Sequence, residues 1–207
     1  MSRQFKLIPD YYDTEWKLYS KKQIEINPGA TVLVGCNGSG KTTLIRQMKE
    51  ALDKENIPYI SFNNLLDGGN TARQAALMSN DLNLLANLTL SSEGECIFEN
   101  IAHIVPQIAG YMRSRKPGEE AWIFFDAIDS GMSIDNIIQL KEQLFETMFE
   151  LHSDRELYII VSANAYEMAL GEQCFDVWSG KYITFSDYSD YRKFIVKSRE
   201  RKNKRYK

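Results

Sequence analysis

A short glycine-rich segment follows a run of apolar and β-branched residues, and its composition suits phosphate binding. Residues 35–42 read G-x-x-x-x-G-K-T, between the run 31–34 and a helical pattern that begins near Lys41. Glycines let successive backbone N–H groups turn inward, and the helix N-terminus attracts an anion. Lys41 would reach the β- and γ-phosphates, and the Thr42 hydroxyl would bind Mg²⁺. The predicted phosphate-binding residues are Gly35, Asn37, Gly38, Ser39, Gly40, Lys41, Thr42 and Thr43.

A carboxylate at the end of an apolar run supplies a second group for the same chemistry. Residues 122–125 are Trp-Ile-Phe-Phe, and Asp126 follows them directly. In proteins with a phosphate loop, an Asp in this position lies beside the loop and helps to bind Mg²⁺. We therefore predict that Thr42 and Asp126 are the metal-binding residues.

The elements that must position these groups alternate between strand and helix after residue 30, which predicts an α/β fold of the P-loop NTPase type with a mainly parallel central sheet. Period-two segments before residue 30 predict an antiparallel β-subsheet beside it. Pro106 kinks or interrupts one of the predicted helices. The predicted strands are 5–8, 15–19, 23–26, 31–34, 57–62, 121–125 and 157–161, and the predicted helices are 41–54, 71–90, 95–113 and 133–151.

Composition and charge restrict the class of protein. The chain has 207 residues, of which 43% are hydrophobic, and this suits one globular α/β domain. No apolar run has membrane-spanning length, and the first residues contain no secretory core. The three cysteines (Cys36, Cys96 and Cys174) form no C-x-x-C pair. These features predict a cytoplasmic protein without a membrane partner.

Positive charge is concentrated near the end of the chain. Residues 192–207 contain nine Lys or Arg and one Glu, a net charge of +8, so the remainder of a chain whose total is −3 carries −11. We divide the chain into a phosphate-binding domain, 1–191, and a basic C-terminal tail, 192–207. The tail is a candidate contact for DNA or RNA. The alternative is a solvated terminal helix.

Taken together, residues 15–170 resemble the ABC-type ATPases, in particular their compact RecF/SMC-like branch. The Asn-Gly-Ser-Gly in the phosphate loop is typical of that family, and Asp126-Ala-Ile-Asp-Ser-Gly-Met resembles its Walker B segment and D-loop. Leu90-Ser-Ser-Glu-Gly-Glu95 resembles a degenerate signature motif, with Ser92 and Gly94 as its phosphate-binding residues. The alternative there is a capping box between Ser92 and Glu95.

The resemblance implies ATP and Mg²⁺ as cofactors, and a homodimer in which each phosphate loop faces the signature residues of the other subunit. It also implies a glutamine at a Q-loop position, where this chain has Asn63 or Asn64, and an aromatic side chain against adenine, for which Trp16 and Tyr19 are candidates. A core or surface role is the alternative for both aromatics. Only 27 residues separate Asn64 from Ser92, so we predict no coiled-coil arm.

Two positions depart from the family pattern. Ala127 stands where the family has a catalytic Glu, and Asn164, after the strand 157–161, stands where it has a His. Neither side chain transfers a proton, and loss of such a group lowers a rate by about 10²–10⁴-fold. We therefore expect Lys41, Asp126 and Asn164 to support slow hydrolysis, with Asp129 as a candidate base. The alternative for Asp129 is a cap on the turn at Ser130–Gly131.

The predicted function is an ATP-binding head that dimerises around ATP and acts as a slow conformational switch. The resemblance places such heads in nucleic-acid transactions or in defence and counter-defence. The small size of the chain and its altered catalytic positions suggest a phage or mobile-element origin. One alternative is a non-hydrolysing ATP-bound module that serves an unidentified protein partner. A second alternative is a nucleotide kinase, although the chain has no evident arginine-rich lid.

Overall fold

The computed structural model describes residues 2–11, 17–63 and 93–204, with residues 93–103 described by their backbone alone. The strands and helices that follow all lie within these ranges. A two-stranded antiparallel sheet is formed by β1 (Arg3–Lys6) and β2 (Gln23–Ile26). The alternation of buried and exposed residues along β2 agrees with its period-two sequence.

A six-stranded sheet forms the centre of the molecule. Its order is β4-β5-β6-β3-β7-β8, and its first five strands are parallel, whereas β8 pairs antiparallel with β7. This confirms the predicted α/β fold with a mainly parallel sheet and a separate antiparallel subsheet. The strands are β3 (Gly29–Val34), β4 (Tyr59–Asn63), β5 (Glu120–Asp126), β6 (Glu156–Ser162), β7 (Gln173–Asp176) and β8 (Lys181–Ile183).

Helices connect these strands. One continuous helical segment consists of α3, a π-helical stretch at Lys141–Glu146 and α4. Pro106 lies inside α2 and does not divide it into two elements. The helices are α1 (Lys41–Lys54), α2 (Glu93–Ser114), α3 (Ile134–Leu140), α4 (Thr147–Leu151), α5 (Tyr166–Ala169) and α6 (Tyr188–Asn203). None of the helices in the described ranges is long and apolar enough to cross a membrane.

The two faces of the central sheet belong to two hydrophobic clusters, because alternate side chains of a strand point to opposite faces. In β5, Ile123 and Phe125 belong to the cluster that includes residues of α2 and α3. Trp122 and Phe124 belong to the cluster that includes residues of α1, β1 and β2. Trp122 also stacks on Tyr158 of β6, with ring centroids 4.0 Å apart. Strand β5 is therefore packed on both of its faces.

Some predicted elements differ from the structure. The strand predicted at 15–19 is absent over 17–19, the part of it that is described. The reason is that the backbone there bonds to separate loops: Leu18 N–H donates to Pro9 O, and Ser20 N–H donates to Trp178 O. The first strand occupies Arg3–Lys6, earlier than the predicted 5–8. The predicted helix 71–90 lies outside the described residues.

Candidate functional site

The segment 35–40 connects β3 to α1 and forms a tight loop whose curvature depends on glycine. Gly38 and Gly40 have φ of +76° and +103°, in the left-handed region that other residues avoid. A Cβ on Gly40 would lie 3.2 Å from the ring of Tyr19. The hydroxyl of Tyr19 donates to Gly40 O at 3.0 Å, and the side chain is 1% exposed. Tyr19 therefore supports the loop from inside the core, which agrees with the core role left open for it.

Lys41 begins α1 and directs its ammonium group back to the loop. Its Nζ donates to Gly35 O at 2.8 Å and to Asn164 Oδ1 at 2.9 Å, with a longer bond of 3.4 Å to Cys36 O. The residue is 8% exposed, and burial lowers its pKa, although nearby Asp129 opposes this shift. The amide oxygen of Asn164 must face Lys41, because an ammonium group only donates. Lys41 therefore links the loop to the end of β6.

Polar residues end three adjacent parallel strands and converge on Asp126. In the strand register, Asp126 of β5 lies between Asn63 of β4 and Ser162 of β6. Its Oδ1 accepts from Thr42 Oγ1 at 3.1 Å and from Ser162 Oγ, and its Oδ2 accepts from Asn63 Nδ2 at 3.2 Å. Asp126 is buried, whereas Thr42 is exposed. The structure thus brings both predicted metal-binding residues together, on the open side of the loop.

Sequence reasoning missed Ser162. Its hydroxyl joins the Asp126 carboxylate to the backbone N–H of Ala127, which donates to Ser162 Oγ at 3.0 Å. The signal was available, since Asn63, Asp126 and Ser162 are polar residues at the ends of consecutive strands. The carboxyl ends of parallel strands meet at one edge of the sheet, so these side chains should have been expected together. Asn64, the other candidate for the Q-loop position, lies outside the described residues.

Ala127 occupies an unusual backbone conformation. Its φ is +55°, which costs a residue with a Cβ about 1–2 kcal/mol. The bond from its N–H to Ser162 holds this conformation, directly after the carboxylate of Asp126. The side chain at position 127 is a methyl group, so it provides no acceptor for a proton.

Asp129 lies close to the site, and one of its carboxylate oxygens already accepts hydrogen bonds from the backbone. Its Oδ2 accepts from the N–H groups of Asn164 and Ala165, each at 2.6 Å. These bonds cap the turn between β6 and α5, whereas the sequence predicted a cap on the turn at Ser130–Gly131. The other carboxylate oxygen, Oδ1, is buried and has no hydrogen-bond partner in the described chain. Asp129 therefore positions Asn164, and its remaining oxygen is shielded from solvent.

The residues present fit a nucleotide phosphate and a magnesium ion. The hydroxyl of Ser39 is buried in the loop without a hydrogen-bond partner among the described residues, so an acceptor for it is missing there. The positive φ values of Gly38 and Gly40 give the loop a curvature that residues with a Cβ rarely adopt. Hydroxyl and carboxylate oxygens, such as those of Thr42 and Asp126, are the ligands that Mg²⁺ prefers.

Sequence reasoning also missed the contact between the C-terminal helix and the phosphate loop. In α6, Ser198 Oγ accepts from the N–H of Cys36 at 3.1 Å, and Lys202 Nζ donates to Asn37 O at 3.0 Å. Nearer the helix N-terminus, the Tyr191 hydroxyl donates to Asn164 O at 2.8 Å. These three residues are spaced i, i+7 and i+11, which is one face of an α-helix. Residues 192–203 of the segment assigned to a tail are thus part of a helix that touches both the loop and Asn164.

Comparison with known protein families gives a match over nearly the whole chain. A family model described as an AAA domain matches residues 15–204. The chain belongs to this family. Among curated proteins and among solved structures, no match to the chain was found.

Family membership agrees with the geometry in coarse terms. It indicates a nucleotide-binding ATPase with a P-loop fold, and it agrees with the predicted resemblance to RecF/SMC-like heads. The match includes residues 192–204, so it extends into the segment predicted as a tail. The phage or mobile-element origin stays a prediction.

The signature motif is only partly covered by the structure. Helix α2 begins at Glu93, so Gly94 lies in its first turn. Ser92 and Trp16 lie outside the described residues, and their predicted roles stay predictions.

Proposed function

We propose that the chain is an ATP-binding head that closes into a dimer around two nucleotides and acts as a slowly hydrolysing conformational switch. The observation that carries this proposal is the assembly of Lys41, Asp126 and Asn164 around one phosphate loop. Lys41 would supply a cation for the phosphates, and Asp126 would supply a carboxylate for the magnesium ion. Asn164 would place an amide beside the γ-phosphate. Bound Mg²⁺ would neutralise charge on the phosphates.

The contact between Lys41 and Asn164 suggests how the nucleotide would be sensed. Asn164 Oδ1 lies 2.9 Å from the ammonium group, as a phosphate oxygen would when bound. An incoming γ-phosphate would therefore compete with Asn164 for Lys41. Asn164 would then be released from Lys41, and its amide N–H would be free to donate to the phosphate. ATP and ADP would leave this residue in different positions, which is what a switch requires.

Slow hydrolysis follows from the groups next to Asp126. Ala127 provides no proton acceptor, and one oxygen of Asp129 accepts two backbone bonds. A general base normally contributes about 10²–10⁴-fold to such a reaction. We expect ATP to be bound for many seconds before it is hydrolysed.

The first experiment is an assay of ATP binding and hydrolysis by the purified protein with Mg²⁺. We expect measurable binding and slow turnover, and we expect both to disappear in Lys41→Ala. The matched control is Lys54→Ala, which removes an exposed lysine from the far end of the same helix and should behave as wild type. Failure of the wild type to bind ATP, or equal turnover in Lys41→Ala, would refute the proposal.

The dimer requires a separate test. We propose that Ser92 and Gly94 of each subunit contact the γ-phosphate bound to the other. ATP should then drive dimerisation of wild type in sedimentation experiments, because it touches both subunits only in the closed state. Ser92→Arg should abolish ATP-dependent dimerisation but preserve ATP binding by the monomer. Dimerisation that persists in this variant would eliminate the signature assignment.

A second candidate is a module that binds ATP permanently and presents a surface to an unidentified protein partner. The observation that favours it is that Asp129 is already engaged by two backbone N–H groups, which leaves no evident base among the described residues of the site. In this case the purified protein would contain stoichiometric ATP and show no turnover with or without DNA. Exchange of labelled ATP over minutes would argue for the switch instead.

A further inference from the structure

A depression of about 620 Å³ lies beside Asn164, between α5 and α6. Its size falls within the range of small-molecule sites, roughly 300–1,000 Å³. Glu167 is the one acid among its lining residues in the described chain. The aromatic and basic side chains that line it are Tyr166, Tyr188, Tyr191, Arg192 and Arg199.

Three tyrosines line one wall of the depression, and Tyr188 is the most exposed of them. The ring of Tyr166 lies 5.6 Å from that of Tyr188 in an edge-to-face arrangement and 5.5 Å from that of Tyr191 in a tilted one. Tyr191 is buried, whereas Tyr188 is 59% exposed. A large aromatic side chain this exposed has a free face for a planar ligand. Stacking of nucleobases on such rings is a common mode of single-strand recognition and tolerates any base sequence.

The charges around the depression favour a polyanion. Helix α6 carries six Lys or Arg and two acids, a net charge of +4. Arg192 and Arg199 are exposed, and no carboxylate in the described chain forms an ion pair with either. Arg192 also lines a second depression of about 480 Å³ along α6, together with Lys193, Lys197 and one acid, Glu200. A chain of phosphates following α6 would meet both basic regions.

We propose that this depression binds an unpaired base of a single-stranded nucleic acid, with Tyr188 against the base and Arg192 and Arg199 against the adjacent phosphates. A single strand fits better than a duplex, because bases inside a duplex are stacked on each other and leave no face for Tyr188. This proposal turns the expected contact of a basic tail into a defined site on a helix. It needs no nucleotide on the phosphate loop.

The same site is connected to the phosphate loop. Its wall includes Asn164, whose carbonyl accepts from Tyr191 and whose side-chain oxygen accepts from Lys41. Further along α6, Ser198 and Lys202 bond directly to the loop. A bound nucleic acid that moves α6 would therefore change the affinity of the phosphate site for ATP. Bound ATP would change the affinity for the nucleic acid by the same factor. This second step rests on the proposed ATP binding.

The test is fluorescence anisotropy with labelled oligothymidylate of about 20 nucleotides, without ATP. We expect Tyr188→Ala to weaken binding about 5- to 100-fold and Tyr188→Phe, which keeps the ring, to bind like wild type. Arg199→Gln should weaken binding, and it should reduce the slope of log affinity against log salt concentration by about one. The matched control, Lys54→Gln, removes an exposed charge far from α6 and should change neither.

Several outcomes would overturn the proposal. They are binding by Tyr188→Ala that equals wild type, binding of a duplex as tight as that of the single strand, and binding of anionic lipid vesicles without binding of the oligonucleotide. For the connection to the loop, a non-hydrolysable ATP analogue with Mg²⁺ should change oligonucleotide affinity in wild type and should change it less in Tyr191→Phe, which loses one of the three bonds between α6 and the phosphate site. An unchanged affinity in wild type would refute the connection.

The two proposals fail in distinguishable ways. A protein that binds the oligonucleotide but no ATP would refute the proposed function and keep the strand site. A protein that binds ATP but no oligonucleotide would refute the strand site and keep the proposed function.

Discussion

The groups that would bind phosphate and the groups that would cleave it lie within one site, but they are built differently. On the binding side, Lys41 donates to three oxygens, and Asp126 accepts from three side chains. On the hydrolytic side, Ala127 has no polar side chain and Asp129 is bonded to the backbone. Apart from Asn164, which Asp129 positions, the partners of Lys41 and Asp126 are not held by a candidate base. Binding and hydrolysis should therefore be separable by mutation.

The largest effect should come from adding the missing base. We expect Ala127→Glu to raise ATP turnover about 10²–10⁴-fold, because a carboxylate beside Asp126 could accept a proton from the attacking water. The left-handed φ of +55° is no greater burden for Glu than for Ala, since both have a Cβ. Single-turnover hydrolysis measures the effect.

The control for this change is Ala127→Gln, which has the same shape without the base. It should leave turnover at the wild-type level. An equal rate for Ala127→Glu and wild type would mean that residue 127 does not face the attacking water or that another base already acts.

The next effect concerns the binding side alone. Asp126→Asn keeps the size of the side chain but removes the charge that would hold Mg²⁺ through Thr42 and the bound phosphates. We expect Mg²⁺-dependent ATP affinity to fall about 10–100-fold, a typical cost for altering groups around a metal. Titration of ATP with and without Mg²⁺ measures it, and Asp154→Asn, an exposed carboxylate elsewhere, is the control. A full Mg²⁺ effect in Asp126→Asn would remove this residue from the metal site.

The sequence predicted the parts of this site that depend on local patterns. Helix α1 has the predicted bounds, and Asp126 ends a strand as expected, because hydrophobic periodicity and glycine spacing are local. The fold class followed from the alternation of such elements. The predicted helix 133–151 corresponds to one continuous helical segment, but its π-helical stretch was not foreseen.

The missed parts depend on contacts between distant segments. Ser198 and Cys36 are 162 residues apart in sequence, and no period within either segment reveals their bond. Strands β7 and β8 are short, with four and three residues, and give little alternation to detect. Asp129 was expected to cap its own turn, whereas its described bonds go to residues 164 and 165. Local propensity cannot show whether a carboxylate such as that of Asp129 accepts from a near or a far N–H donor when both are sterically possible.

A smaller effect tests whether Asp129 positions Asn164 or acts as a base. Asp129→Ala removes the acceptor for two N–H groups, and we expect the free energy of unfolding to fall by about 1–3 kcal/mol. Asp129→Asn keeps one oxygen as an acceptor, so its stability should lie between that of Ala and wild type. Urea denaturation measures both, and turnover in Asp129→Asn should stay within a few-fold of wild type. A fall of about 10² or more in turnover, with stability retained, would identify Asp129 as the missing base.

The smallest effect concerns the backbone of Ala127, which lies between the binding group Asp126 and the hydrolytic side of the site. Ala127→Gly relieves a left-handed conformation that costs about 1–2 kcal/mol, but glycine also loses about 0.5–1 kcal/mol through its greater freedom in the unfolded chain. We expect a net stabilisation of roughly 0.5–1 kcal/mol in urea denaturation, with ATP affinity unchanged. The matched control is Asn56→Gly, at φ +56° in the turn after α1, where the gain should be smaller because asparagine tolerates this conformation better than alanine. A loss of stability in Ala127→Gly would mean that the methyl group itself holds the segment after Asp126, and that the two sides of the site are not independent.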